Sequence, residues 1–547
     1  MAQEKQPAMV NLEPGIPIWI PENKSLPKFE ILEEQLEMVD QEPVKPVGIL
    51  ATENKYSPKL EPIYLTNKAG TGSGNVGESS EGFRAPKYGI GQKAKDRGTT
   101  KPDSWSEPEI PGLWPSLFID ERCCIYRVPN RLRRVNPEAY TPQMLLIGPL
   151  HHSKKAQALE LSKTDSRYLD YMNMENHKKK YLNDIANLYG EQTIDEHFKK
   201  IIEADEKFIR ESYSESTDWI KSQEFVEMML LDSIFILKFF MRVGNQNINK
   251  KGDILFEQPC LVTTILEDLM LLENQLPYAL LKRLFEPFFK IIEYTETFRD
   301  LTLRAFRLEG KIKEEVNFRH FTDLFRRVRI ETLGLTEEQI NSAQTEPPKS
   351  IKSLHNADKL DSAGVDFVNI DDKNDLSLVI NFEDGILKMP CFTVEDSTER
   401  VIRNIMALEQ CRYPLFAYVC NYIAFLDFLI DTDQDVDLLV KKGVVKNWLG
   451  HQGSVAEMVN KLCLGLVDFG SHYYDIAESL NKHYDNPLNR SVASLRRVYF
   501  KDLWTGTATV AAVIILVLTL IGTVASVIQV LQNTKESPPS PPPARRS

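Results

Sequence analysis

Cysteine is scarce and unpaired in this chain. The seven residues (Cys123, Cys124, Cys260, Cys391, Cys411, Cys420 and Cys463) are odd in number, scattered, and form no C-x-x-C pair. That excludes a disulfide framework and a zinc knuckle, and fits small buried hydrophobes in a reducing compartment. Positive charge is also short: 66 Lys and Arg against 78 Asp and Glu leave a net charge of −12. A body this acidic lacks the electrostatic footprint of a nucleic-acid binder. The opening MAQEKQPAMVNLEPG has no apolar stretch of the kind a secretory signal needs. There is no G-x-S-x-G elbow, no G-x-x-x-x-G-K-S/T phosphate loop and no H-E-x-x-H pair, so no hydrolase, nucleotide or zinc-protease reading starts from a motif, and no cofactor or metal is expected. A mean hydropathy of −0.30 excludes a many-spanning membrane protein. With 42% hydrophobic residues the chain is not wholly disordered either.

What is there falls into regimes along the chain. Residues 1–115 hold 14 of the 31 prolines and 11 of the 26 glycines, which predicts a flexible leader with at most a short element over 29–39. Gly72-x-Gly74-x-x-Gly77 lies in this leader without the strand and helix that a dinucleotide fingerprint needs, so it reads as linker. Residues 116–502 are predicted to form one large helical domain. Within it, residues 223–243 are apolar on nearly every face but carry Glu227, Asp232 and Lys238. Each charge would cost roughly 2.5–3.5 kcal/mol at bilayer depth, which favours a buried core helix over a span. Residues 260–285 and 401–430 repeat the theme, with breaks expected at Pro277 and Pro414 because proline supplies no N–H. Between Asn374 and Met389 the period changes: Leu376, Leu378, Ile380 and Phe382 alternate, Asp384-Gly385 offers a turn, and residues 386–389 can return as a second strand. The fold class is therefore mainly α, with a small β-hairpin insert.

From Leu503 to Thr534 no residue is charged. Its apolar centre runs from Gly506 through Ala512, Leu516 and Gly522 to Leu531, and a bilayer core of about 30 Å needs only about 20 helical residues. One transmembrane helix over 503–531 is expected, followed by a polar, proline-rich tail over 532–547. That is a C-terminal, single-pass anchor. Arg490, Arg496, Arg497 and Lys501 before it outnumber Lys535, Arg545 and Arg546 after it, which places the body on the cytosolic side by the positive-inside rule. Ala508/Ala512 and Gly522/Ser526 are small residues four apart, a spacing that also suits pairing of two copies in lipid.

Two polar clusters invite chemistry. Asp431, Asp433, Asp435 and Asp437 alternate, but an EF-hand wants Gly at its sixth position and Glu at its twelfth, where this chain has Val436 and Lys442. Capping of a helix start is expected instead. His151-His152 is expected to be a turn-and-cap element fixed by side-chain hydrogen bonds.

Several blocks occur together in a recognisable order. They are Ile125-Tyr126-Arg127-Val128-Pro129, Asn136-x-x-Ala139-Tyr140-x-Pro142 and Ile147-Gly148-Pro149-x-His151-His152, then Leu271-Leu272-Glu273-Asn274-Gln275-Leu276-Pro277 and Leu408-Glu409-Gln410-Cys411. As a set they resemble the plant domain-of-unknown-function family 247, over about residues 118–531. Leu146, Leu150 and Leu408 depart from the family's usual residues by packing-type changes. The resemblance implies a plant-specific, mostly helical, membrane-associated protein without an established catalytic activity. Some family members are associated with self-incompatibility, which implies recognition, so the expected role is non-enzymatic, with an unidentified protein partner. The alternatives are a membrane-tethered enzyme using residues 147–152 or Glu273-Asn274-Gln275, and a structural scaffold or homo-oligomer. Convergence of Glu273 with an imidazole in a polar pocket would mark the enzyme.

Overall fold

The computed structural model describes residues 111–114, 121–244, 252–292, 296–336, 348–370, 376–499 and 503–533. The rest of the expected leader, including residues 29–39 and the glycines at 72–77, lies outside the described residues, as does the tail from residue 534. The described residues all belong to one compact unit within residues 101–547.

The fold is mainly α. Helices α1 (His152–Leu161), α2 (Arg167–Tyr189), α3 (Lys200–Glu211), α4 (Ser222–Gly244), α5 (Pro259–Asp268), α6 (Tyr278–Ile292), α7 (Phe298–Ala305) and α8 (Phe321–Glu331) come first. A short α9 (Ala357–Ser362) leads into β1 (Asp366–Asn369), β2 (Asn381–Glu383), β3 (Ile386–Met389) and β4 (Phe392–Val394). Helices α10 (Thr398–Arg412), α11 (Tyr418–Leu429) and α12 (Asp433–Lys441) follow, then β5 (Val445–Asn447), α13 (Gln452–Leu462), α14 (Tyr474–Asp485), α15 (Pro487–Tyr499) and α16 (Leu503–Asn533).

The apolar α4 is the centre of the body. Phe235, Phe239 and Phe240 are fully buried, and Phe240 packs against Phe298, Phe306 and Phe321 at ring-centroid distances of 5.2–6.0 Å. Its interior charges have partners: Asp232 meets Lys178 and Lys155, and Lys238 meets Asp184 at 2.6 Å. Pairing makes a core position affordable for residues that lipid would penalise. The proline breaks fall as expected. Helix α6 starts one residue after Pro277, and Pro414 opens a single 3₁₀ turn between α10 and α11.

The β region corrects the sequence reading in part. Strands β2 and β3 pair antiparallel around Asp384-Gly385, with Phe382 opposite Leu387. The first arm is only three residues long, because the backbone of Leu378 is satisfied by side chains instead. Thr332 Oγ1 accepts from its N–H, and the Tyr473 hydroxyl donates to its carbonyl. Strand β1 adds in parallel to β3, and β4 pairs in parallel with β5, neither of which local alternation announces. Cysteine also departs from expectation at three positions: Cys260 is exposed, and Cys411 and Cys463 are half-buried.

At the start of α12, Asp435 closes a capping box with Thr432 and accepts from the N–H groups of Asp431, Thr432 and Asp358. Of the alternating aspartates, Asp435 caps the helix as expected, while Asp437 pairs with Lys441. Helix α16 has 31 residues. Every residue from 510 to 533 is exposed, and this is the one helix among the described residues long and apolar enough to cross a membrane.

Candidate functional site

Residues 123–152 run along the body with little secondary structure of their own, and a bridge between Ile125 and Tyr213 starts their docking. A chain without regular structure must satisfy its N–H and C=O groups some other way. Here buried carboxylates and amides supply the partners, and the quoted motif residues are those groups.

Glu273 is 3% exposed. Its Oε1 accepts from the Val128 N–H at 2.7 Å and from the Arg133 guanidinium, and its Oε2 faces Arg127 Nη1 at 3.4 Å. Arg127 also grips Glu215 with both arms of its fork, at 2.8 and 2.7 Å, and donates to the Leu150 carbonyl. Asn274 Oδ1 accepts from the Ile147 N–H at 2.6 Å, and its Nδ2 donates to the carbonyls of Leu145 and Asp268. Gln275 donates to the carbonyls of Leu269 and Leu271 and accepts from the Phe321 N–H, while its own carbonyl accepts from Tyr213. Pro277 then releases the chain into α6.

Two carboxylates that the motif reading had not singled out as site residues complete the frame. Asp268 accepts from the N–H groups of Gln143, Met144 and Leu145 at 2.8–2.9 Å. Burial pushes its carboxyl up to about 6, against the pull of those donors and Arg400. Asp232 accepts from the Gly148 N–H at 2.8 Å and lies between Lys178 and Lys155, at 2.6 and 3.0 Å. Burial alone would raise its pKa, but the two ammonium groups outweigh it and hold it below the usual carboxylate range. Asp232 carried one signal in the sequence, a charge inside an otherwise apolar helix. Asp268 carried none.

Gly148 is at φ +75°, and a Cβ there would lie 2.8 Å from the Gln275 carbonyl oxygen. The glycine is needed for both conformation and room. Pro149 opens the 3₁₀ turn that delivers His151 and His152. The expected hydrogen-bonded cap is not what these histidines form. His151 is fully buried with no partner on either ring nitrogen. Burial, reinforced by Lys154, Arg127, Lys155 and Arg133, drives its pKa well below the ordinary value, so the ring is neutral. His152 points elsewhere, to Glu224 at 2.8 Å with its ring edge-on to Trp219. The Glu273 carboxylate therefore bonds to neither imidazole.

The remaining motif residues are similarly engaged. Val128 and Tyr140 are buried in a small cluster with Leu272 and Leu408, Arg133 lies over the Tyr140 ring, and the Pro142 carbonyl accepts from Tyr171. Glu409 is fully buried, pairs with Arg326 at 3.0 Å and accepts from the Cys420 and Val419 N–H groups. Gln410 exchanges two hydrogen bonds with the backbone of Val467. A cavity of about 380 Å³ opens where α5, α8, α10 and α11 meet. It is largely apolar, lined by Met270, Phe325, Val401 and Ile423 with Glu267 and Arg329 at its wall, and none of the quoted motif residues lines it.

A family model described as "Plant protein of unknown function" (DUF247) matches residues 125–518. The Arabidopsis thaliana "UPF0481 protein At3g47200" is 24% identical over 435 residues, covering 74% of this chain and 86% of its own length. The "Putative UPF0481 protein At3g02645" of the same plant is 22% identical over 493 residues, covering 72% and 88%. No solved structure matches.

Proposed function

The chain belongs to this plant family of unknown function, and on that footing we propose that it is a membrane-tethered recognition protein and not an enzyme. One observation carries the reading: the carboxylates of the shared motif are consumed in holding the chain. Glu273 and Glu409, with Asp268 and Asp232 beside them, each accept from backbone N–H and face a cation, and none of the four lines the cavity of about 380 Å³. A general acid or base needs the opposite, a titratable group within reach of a substrate proton. The acidic body, in a chain whose net charge is −12, then serves as the surface that a protein partner meets.

The anchor is α16. Its mid-span hydroxyls are satisfied within the helix, with Thr519 donating to the Ile515 carbonyl at 2.7 Å and Ser526 to that of Gly522 at 2.8 Å. Lipid demands this of any spanning segment. The excess of basic residues on its amino side supports a cytosolic body on a single-pass, tail-anchored chain. Proximity labelling with the intact chain and with a deletion from Gly506 to Leu531 tests the reading. The intact chain should label membrane-resident neighbours that the deletion loses, and an identical soluble set for both would refute anchoring. Protease protection of the tail in sealed membranes checks the topology.

A further inference from the structure

Helix α15 has no adequate reason to be folded where it is. It has 13 residues, a length at which an isolated helix is marginal in water. Of its residues with a described side-chain environment, only Asn489 and Ala493 are even half-buried. These two lie one turn apart and touch the body through Gly364, whose added Cβ would meet the Ala493 Cβ at 3.2 Å. The other described side chains of the helix are exposed. Leu488, Val492, Leu495 and Val498 are 71%, 63%, 53% and 57% exposed. Leu488, Val492 and Leu495, at spacings of four and three, form one stripe, and Val498 flanks it. A stripe of this kind left in water is unfavourable, and among the described side chains no other helix of the body carries one. The start of α15 is nonetheless well made: Pro487 takes the first helical position and Asn486 Oδ1 accepts from the Leu488 N–H at 3.0 Å.

Position suggests what covers the stripe. Residue 499 ends α15 and residue 503 begins α16, so only three residues separate the helix that carries the stripe from the proposed span. The intervening and adjoining sequence is basic, with Arg490, Arg496, Arg497 and Lys501 and a single acid, Asp502. An amphipathic helix with an apolar stripe, basic residues and no acid within it suits the boundary between headgroups and acyl chains. We infer that α15 lies in the membrane interface, with Leu488, Val492 and Leu495 in the lipid and its Asn489–Ala493 edge on the body. It fixes the standoff and tilt of the body above the bilayer, where a span joined by a loose tether would leave both free. The inference rests on the anchoring role of α16 proposed above.

The test uses the full chain reconstituted in vesicles of phosphatidylcholine and phosphatidylserine. The photoreactive analogue p-benzoyl-phenylalanine replaces Leu488, Val492, Leu516 or Leu159 in turn, Leu159 being an exposed apolar residue of α1. Lipid adducts at 488 and 492 comparable to those at 516, and lost at 159, are expected. Adduct at 516 without adduct at 488 and 492, or equal adduct at 159 and 492, overturns the interfacial helix while leaving the anchor standing. Crosslinking of 492 to protein instead of lipid also overturns it, and identifies the stripe as a protein contact. Absence of lipid adduct at 516 overturns the anchor itself, and the inference with it.

Discussion

Acid should loosen the junction between α8 and the segment at Cys123-Cys124 through a single imidazole. His320 caps α8: its Nδ1 accepts from the Asp323 N–H at 3.4 Å, while its Nε2 lies 2.9 Å from the Cys124 carbonyl. Both bonds together require the neutral ring, with the proton on Nε2. The residue is 1% exposed, and burial lowers its pKa from 6.5 to about 4, although Asp323 and the Cys124 carbonyl pull the other way. A base whose folded pKa is depressed stabilises the fold above its unfolded value, and that stability is lost as pH falls through the folded one. The window here is pH 6.5 down to 4. Integrating the two titrations gives a loss, relative to pH 7, of about 1.2 kcal/mol at pH 5.5 and about 2.4 kcal/mol at pH 4.5. Asp268 acts with the opposite sign, since a carboxyl pushed up to about 6 gains stability as pH falls. The measurement is therefore a difference. Urea unfolding of wild type and of His320→Asn, which keeps a capping oxygen and cannot titrate, is followed by far-UV circular dichroism at pH 7, 5.5 and 4.5. Wild type should lose about 2 kcal/mol more than His320→Asn between the ends of the series. Parallel pH curves would refute the neutral, doubly bonded imidazole.

Other perturbations probe the frame that the motif builds. Gly148→Ala should destabilise by at least about 2 kcal/mol, through the left-handed backbone and the clash with the Gln275 carbonyl, and urea midpoints read it directly. Asp232→Asn leaves Lys155 and Lys178 facing each other in the core, with an expected loss of about 3–5 kcal/mol. Adding Lys178→Met should recover part of that loss in the same unfolding assay, and a double mutant no better than the single would sink the pairing argument. Glu409→Ala strands Arg326, which is fully buried over the Tyr413 ring at 3.8 Å, and should cost a similar amount. The apolar pair Glu409→Leu with Arg326→Met should be much closer to wild type. Phe240→Ala, where α4, α7 and α8 meet, should cost about 3–5 kcal/mol in the same unfolding assay.

Much of the helical plan is legible in the sequence because it is local. The period and length of α4, the breaks at Pro277 and Pro414, the capping aspartate at the start of α12 and the uncharged run of α16 each depend on residues within a few turns of one another. The β region is legible only at its turn, since Asp384-Gly385 is local, whereas the pairing of β1 with β3 and of β4 with β5 joins segments about 20 and 50 residues apart. The motif blocks are conspicuous as residue types, but their roles are not, because each role is defined by a distant partner. Glu273 has its meaning from Val128 and Arg133, and Asn274 from Ile147 and Leu145. His151 shows the limit in another way. A histidine beside a proline turn suggests a cap, and only the packed structure shows an imidazole sealed from every donor and acceptor among the described residues.

The long reach of these ties has a consequence for how the chain is made. The Asn404 amide donates to the Ala139 carbonyl across 265 residues, and Arg412 donates to the Cys123 carbonyl across 289. The irregular segment at 123–150 is among the first parts of the body to be synthesised, yet it cannot be sealed until α10 exists. At about 5–20 residues per second that is a wait of about 15–60 seconds on the ribosome. During it the apolar faces of α4 and its neighbours are assembled beneath an unfinished cover. Nascent body should therefore be a strong client of chaperones until residue 412 emerges, and closure of the cover is the step that releases it. Contacts this distant in sequence are also slow to form on loop-closure grounds alone, so refolding from urea should be slow and prone to aggregation for a protein so rich in helix.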